Sequence, residues 1–139
     1  MTLTNEDRFR SDLPAGFDGV FDWDWLKGAF PRGIMPMDID AHVEIGGQHL
    51  VIESKMLGTP IPDGQIRALR QLWAKGYVMV ILLWGKADPI ECEIWYPKGT
   101  GDKFRGSKTR EYIFQVCRRW AEWADKNPCP FQYDESIKV

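Results

Sequence analysis

Asp40, Glu53 and Lys55 stand at intervals that would let two carboxylates and an ammonium act together on one substrate. Magnesium takes hard oxygen ligands, and one or two carboxylates suffice when water and a substrate phosphate complete its shell. A metal held that way lowers the pKa of bound water and stabilises charge developing on a phosphate. A lysine aimed at the same point can orient the attacking water or offset that charge. Two carboxylates and an ammonium converging on one spot are therefore suited to phosphodiester hydrolysis. The plainer reading of the same residues is an exposed strand face carrying an ordinary salt bridge.

Convergence requires a hairpin, and the sequence writes one. Asp40 to Ile45 alternates polar and apolar residues, and so does His49 to Lys55, the period expected of half-buried strands. Gly46-Gly47 between them supplies the two positive-φ positions of a tight hairpin loop. With that loop Ile45 faces Gln48, Val43 faces Leu50, Asp40 faces Glu53, and Asp38 faces Lys55. A loop one residue longer would set the apolar face of one strand against the polar face of the other, so the register is well specified. Directly opposed like charges destabilise a sheet. A chain that keeps Asp40 against Glu53 is expected to place a cation between them.

The rest of the chain supplies the frame. Residues 1–30 are aromatic and acidic, with Phe17, Phe21, Trp23, Trp25 and Phe30 among Asp18, Asp22 and Asp24; Asp22 could cap a short helix over 23–30 that Pro31 ends. After the hairpin, Asp63 is placed to cap a helix over 64–75, with Ile66, Leu69, Leu72 and Trp73 on one stripe and Gly76 as its stop. Residues 77–84 are apolar on both faces, as in a central strand covered on both sides. Strand, helix and buried strand together suggest a right-handed crossover within one sheet. Residues 90–96 form a further strand, expected at an edge because Pro89 and Pro97 flank it. Residues 98–108 read as a basic, glycine-rich loop, and 109–126 as a final helix whose Trp120 and Trp123 lie on its apolar stripe. The expected architecture is α/β: a single domain over residues 1–139 with a mixed sheet of four or five strands flanked by helices.

Composition narrows the setting. At 139 residues, 44% apolar and 27% charged, the chain is globular in character. Residues 1–8 show no basic segment leading into an apolar run, so no secretory signal is expected. The longest apolar run, 77–84, is too short to cross a bilayer. Cys92, Cys117 and Cys129 are scattered without CxxC spacing, which fits reduced thiols in a cytoplasmic protein. The net charge of −2 conceals a division: residues 1–63 carry eleven acidic and five basic residues, whereas 98–119 carry seven basic and two acidic. That contrast suits a cation-binding pocket beside a polyanion-binding rim, or simply a solvated basic face.

Asp40, twelve intervening residues and then Glu53-Ser54-Lys55 resemble the PD-(D/E)XK nuclease superfamily, with Pro36-Met37-Asp38-Ile39-Asp40 as a shifted form of its leading proline and aspartate. Gln65 near the start of the next helix, and the buried strand ending at Gly85, are similar to the VRR-NUC and Holliday-junction-resolvase-like branches, many of them phage-encoded. The likeness covers residues 34–85. It implies a restriction-endonuclease-like core, Mg²⁺ or Mn²⁺ as cofactor, and Asp40 and Glu53 as metal ligands joined by the backbone carbonyl of Ser54. Lys55 would be the catalytic lysine and Gln65 an auxiliary residue at the site. Asp38 would pair with the site from behind, with direct ligation as its alternative role.

Other groups carry less. The histidine pair His42 and His49 lies beside Glu44 at the turn end of the hairpin, but no further protein ligand has spacing suited to zinc, so a solvated strand end is expected. Glu6 could reach the site as an additional ligand, though nothing fixes it there. Gly101 to Lys108 has G-x4-G spacing with serine and lysine in the wrong order for a phosphate loop. Lys98, Lys103, Arg105, Lys108 and Arg110 are better suited to contacts with DNA phosphates, which position a duplex without reading its sequence. The expected function is a metal-dependent nuclease acting on DNA, structure-directed or nonspecific, since no base-reading module is present. A homodimer would suit cutting two strands. The alternative is a non-catalytic phage-type binding protein built on the nuclease fold.

Overall fold

The structure, a computed structural model, describes residues 22–136. The chain divides after Met37 into two units. In the first, Asp24–Leu26 and Pro31–Gly33 are single turns of 3-10 helix. The helix expected over 23–30 does not form, because Gly28 sits at φ +88° and breaks any helical ladder through it. Trp23, not Asp22, occupies the N-cap of the first turn, which has no side-chain cap bond; Asp22 instead accepts the Asp24 N–H at 2.9 Å, and Pro31 opens the second turn instead of closing the first. Glu6, Phe17, Asp18 and Phe21 lie outside the described residues.

The second unit is an α/β fold with a five-stranded mixed sheet in the order β1-β2-β3-β4-β5. Strands β1 (Ala41–Ile45) and β2 (Gln48–Lys55) form the hairpin. Gly46 and Gly47 both take positive φ, +57° and +81°, as a two-residue turn of the twist-compatible kind demands. The register pairs Ile45 with Gln48, Val43 with Leu50 and Ala41 with Ile52. Gly47 is required for space as well: a Cβ there would lie 2.7 Å from Cys129 Cβ. The chain beyond the last helix folds back over the turn, where the Cys129 N–H donates to Gly46 O at 2.8 Å.

Helix α1 (Asp63–Ala74) links β2 to β3 (Val78–Trp84), which lie parallel as a crossover requires. Pro62 occupies the N-cap and Asp63 is the first helical residue, with no side-chain cap bond; its carboxylate still faces the positive end of the helix dipole. Gly76, at φ +86°, ends the helix and donates its N–H to Trp73 O at 3.0 Å. Leu69 is 1% exposed and, with Ile66 and Trp73, packs over Val51, Val80, Leu82 and Trp95. The other face of the sheet packs Leu50, Met79, Ile81 and Ile94 against Val116, Trp120 and Ala124 of the final helix. Strand β3 is thus covered on both sides, each buried aliphatic side chain contributing about 1.5–3 kcal/mol relative to exposure.

Two sequence expectations fail here. Strand β4 (Ile90–Trp95) is central, between β3 and β5, not an edge. Pro89 and Pro97 sit just outside its ends and remove no ladder donor, so they carry no edge signal. The segment expected as a loop over 98–108 contains the edge strand β5 (Phe104–Lys108), which continues the sheet from β4. Its Gly106 pairs with Cys92 and leaves room for the Phe104 ring, whose Cζ would lie 3.1 Å from an added Cβ. Helix α2 (Arg110–Lys126) starts where Thr109 caps it, the hydroxyl accepting the Tyr112 N–H at 3.1 Å. Cys92, Cys117 and Cys129 are free thiols. Among the described residues no helix is long and apolar enough to cross a membrane.

Candidate functional site

The carboxylate pair forms where the hairpin ladder ends. Paired strand residues stop at Ala41 opposite Ile52, so Asp40 and Glu53 meet through the Asp40 backbone N–H and the Glu53 side chain instead of a ladder rung. The Asp40 N–H donates to Glu53 Oε1 at 3.2 Å. Asp40 in turn is held by Ser54, whose N–H and hydroxyl donate to Asp40 Oδ2 at 2.8 and 3.1 Å. Gln65, in the first turn of α1, donates from Nε2 to Glu53 Oε2 at 2.9 Å. Each Glu53 oxygen thus accepts one hydrogen bond, whereas both bonds from Ser54 fall on a single oxygen of Asp40, Oδ2. The continued pairing expected between Asp38 and Lys55 is not formed as strand register.

Glu53 is only 2% exposed, although Asp40 beside it is exposed. Burial, and secondarily the Asp40 charge, push the Glu53 carboxyl above its ordinary range; the Asp40 N–H, Lys55 and Gln65 pull the other way. Burial disfavours the anion, and a second carboxylate adds repulsion. Lys55, two residues along the same strand, lies on the face of β2 that carries Glu53. Its ammonium is the charged side chain that favours the Glu53 anion.

Among the described residues no group of three or more His, Cys, Asp or Glu side chains is arranged to hold a metal ion. A two-carboxylate set excludes an all-protein cage and fits a cation that keeps water and shares oxygen ligands with substrate, as magnesium does. The Ser54 carbonyl fits as well. In a strand the N–H and C=O of one residue serve the same side, and the Ser54 N–H points to Asp40, whereas Lys55 O is turned to β3 and accepts the Gly85 N–H at 3.0 Å.

His42 and His49 lie on the same face nearer the turn. Their rings are 9° from parallel with centroids 5.0 Å apart, and His42 Nε2 and His49 Nδ1 are 2.7 Å apart. That combination describes side-by-side rings sharing a hydrogen bond. Glu44 is turned to the loop, accepting the Gly47 N–H at 2.7 Å.

The basic residues singled out in the sequence do not form one rim. Lys103 and Arg105 lie on the Glu53 face: Lys103 Nζ is 3.5 Å from Glu93 and 4.9 Å from the centre of the Trp95 ring. Arg105 pairs in register with Glu93, two strands from Glu53. Lys108 faces the other way, over Tyr112 and Phe104 at 4.5 and 5.2 Å. Lys98 donates to Ala74 O at the end of α1, at 3.2 Å, and Arg110 begins α2 with its N–H on Asp88 Oδ1 at 2.7 Å. The run 101–108 is largely strand, which removes any phosphate-loop geometry. Sequence reasoning missed the clamp of the Ser54 hydroxyl on Asp40; a serine between the glutamate and the lysine was the available signal.

Comparison of the chain with protein-family models, with characterised proteins and with solved structures finds no match.

Proposed function

We propose that this chain is a metal-dependent nuclease that hydrolyses DNA phosphodiester bonds. The observation that carries the reading is a buried glutamate held against a second carboxylate, with a lysine on the same strand face and a glutamine fixing one glutamate oxygen. Burial beside a second carboxylate makes the Glu53 anion costly to keep. A divalent cation reverses that balance.

Asp40 and Glu53 would hold Mg²⁺ or Mn²⁺ together with the Ser54 carbonyl. When bound, the ion activates water and neutralises charge on the phosphate. The protein's own residues do the rest. Ser54 fixes the rotamer of Asp40, and Gln65 fixes that of Glu53, so that neither carboxylate must reorganise as substrate enters. Lys55 sets its ammonium beside the same point, where it orients the attacking water or offsets the added negative charge in the transition state. Incubation of plasmid and branched DNA with the protein in Mg²⁺, against the same reaction in EDTA, tests the proposal. Cleavage confined to the Mg²⁺ reactions is expected; intact DNA of every form would overturn it.

A further inference from the structure

We propose that the flank of α1 facing β4 and β5 is a second element of the substrate site: a groove for the sugar-phosphate backbone of a nucleic acid, gripped by Arg67, Arg70 and Lys103. The groove has a volume of about 660 Å³ and is lined by these three cations together with Asp63, Trp73 and Trp95. Three positive groups face one carboxylate across it. Glu93, the nearest other anion, is already engaged by the Trp95 indole N–H at 2.9 Å and by Lys103. Among the described residues neither arginine has an acidic partner within ion-pair distance, and both are exposed. With Lys103 paired to Glu93 and a single carboxylate, Asp63, beside two arginines, the groove keeps an excess of positive charge that an anionic ligand complements.

The spacing selects the kind of anion. Arg67 and Arg70 are three residues apart on one helix, which puts their Cβ atoms roughly 5–6 Å from each other. That is the scale of successive phosphates along one strand, and guanidinium forks match phosphate oxygens in pairs. Lys103 faces them from the sheet side and is held over Trp95 instead of ranging freely. The location then assigns a role. At 3.6 residues per turn, Arg67 lies roughly 200° around the helix from Gln65, which holds Glu53. The groove and the carboxylates are thus on opposite flanks of α1. The groove grips the flank of the substrate and leaves the scissile phosphate to Asp40, Glu53 and Lys55.

The identity of the ligand rests on the nuclease reading, but binding is measured separately from cleavage. Fluorescence anisotropy of labelled single-stranded and duplex DNA in EDTA, over a salt series, compares the full chain with Arg67→Ala/Arg70→Ala; poly-glutamate serves as a competitor probe. The variant is expected to weaken DNA binding about tenfold or more, and to reduce the slope of log affinity against log salt by about 0.7–0.9 for each lost contact. In Mg²⁺ it should raise KM by a larger factor than it lowers kcat. Unchanged affinity and salt slope overturn the groove, as does poly-glutamate competing as well as DNA at equal charge, which would mark an acidic-protein surface. If the full chain binds DNA through both arginines yet cleaves nothing in Mg²⁺, the nuclease reading fails and the groove stands. Because both arginines are exposed, the variant retains its fold, checked by its thermal midpoint.

Discussion

Gln65→Ala separates a carboxylate prepared for a metal from one that is merely buried. Gln65 Nε2 lies 2.9 Å from Glu53 Oε2, and a hydrogen bond to a charged acceptor is worth about 1.5–3 kcal/mol. At 1.4 kcal/mol per factor of ten, its removal should weaken Mn²⁺ binding by about 10–100-fold, the range seen when a residue supporting a metal ligand is lost. The same change has a pH signature. The Gln65 N–H favours the Glu53 anion, against burial and Asp40, so its loss pushes that carboxyl higher still. Metal binding requires the deprotonated ligand; affinity therefore falls as pH drops through the Glu53 pKa, and in the variant this fall begins at higher pH. Calorimetric titration with Mn²⁺ across a pH series reads both effects. Gln65 is half-buried in the first turn of α1, and alanine is a good helix former, so the thermal midpoint should hardly move. Unchanged Mn²⁺ affinity with a superimposable pH profile would show that Gln65 does not prepare Glu53 for a metal.

Three further outcomes follow from the same contacts. Metal-free Glu53→Gln should melt higher than the natural sequence at neutral pH. The native state holds the Glu53 proton more tightly than the unfolded chain, so the stability from Glu53 is full below its ordinary value of 4.5 and is lost as pH rises through the raised native pKa; the difference between the two proteins should vanish in acid, as thermal scans would show. Gly47→Ala should cost about 1–2 kcal/mol for left-handed backbone and about 1–3 kcal/mol for the clash with Cys129, whereas Gly46→Ala, whose Cβ meets Pro128 at 3.4 Å, should cost mainly the first; urea denaturation measures both. Leu69→Ala should lose about 2–5 kcal/mol and weaken Mn²⁺ binding as well, because Leu69 anchors the helix that carries Gln65.

The hairpin was legible because alternation and two glycines fix a register on local information alone. Helix α1, β3 and α2 were legible for a related reason: their apolar stretches are long and their ends are marked, by Gly76 after α1, Gly85 after β3 and Thr109 before α2. Strand β5 was not. Phe104 to Lys108 is short, half-exposed and contains a glycine, and it becomes a strand only because β4 offers it an edge. The prolines around β4 misled because a proline flanking a strand removes no ladder donor and so says nothing about whether the strand lies at an edge. At the site, types and positions could be read from the chain, since Asp40, Glu53, Lys55 and Gln65 depend on one turn and one crossover. The basic residues could not be apportioned, because whether Lys103 and Lys108 share a face depends on the strand that was missed. Arg67 and Arg70 showed no signal beyond a polar helix flank; the cavity beside them is made by β4 and Lys103, distant in sequence.

If Asp40 and Glu53 hold the metal that hydrolyses a phosphodiester, single-turnover cleavage of labelled DNA in Mg²⁺ must separate the natural sequence from Glu53→Gln, which has nearly the same shape and one charge fewer. Cleavage by the first and its loss in the second is the predicted result. Undiminished cleavage by Glu53→Gln would contradict it.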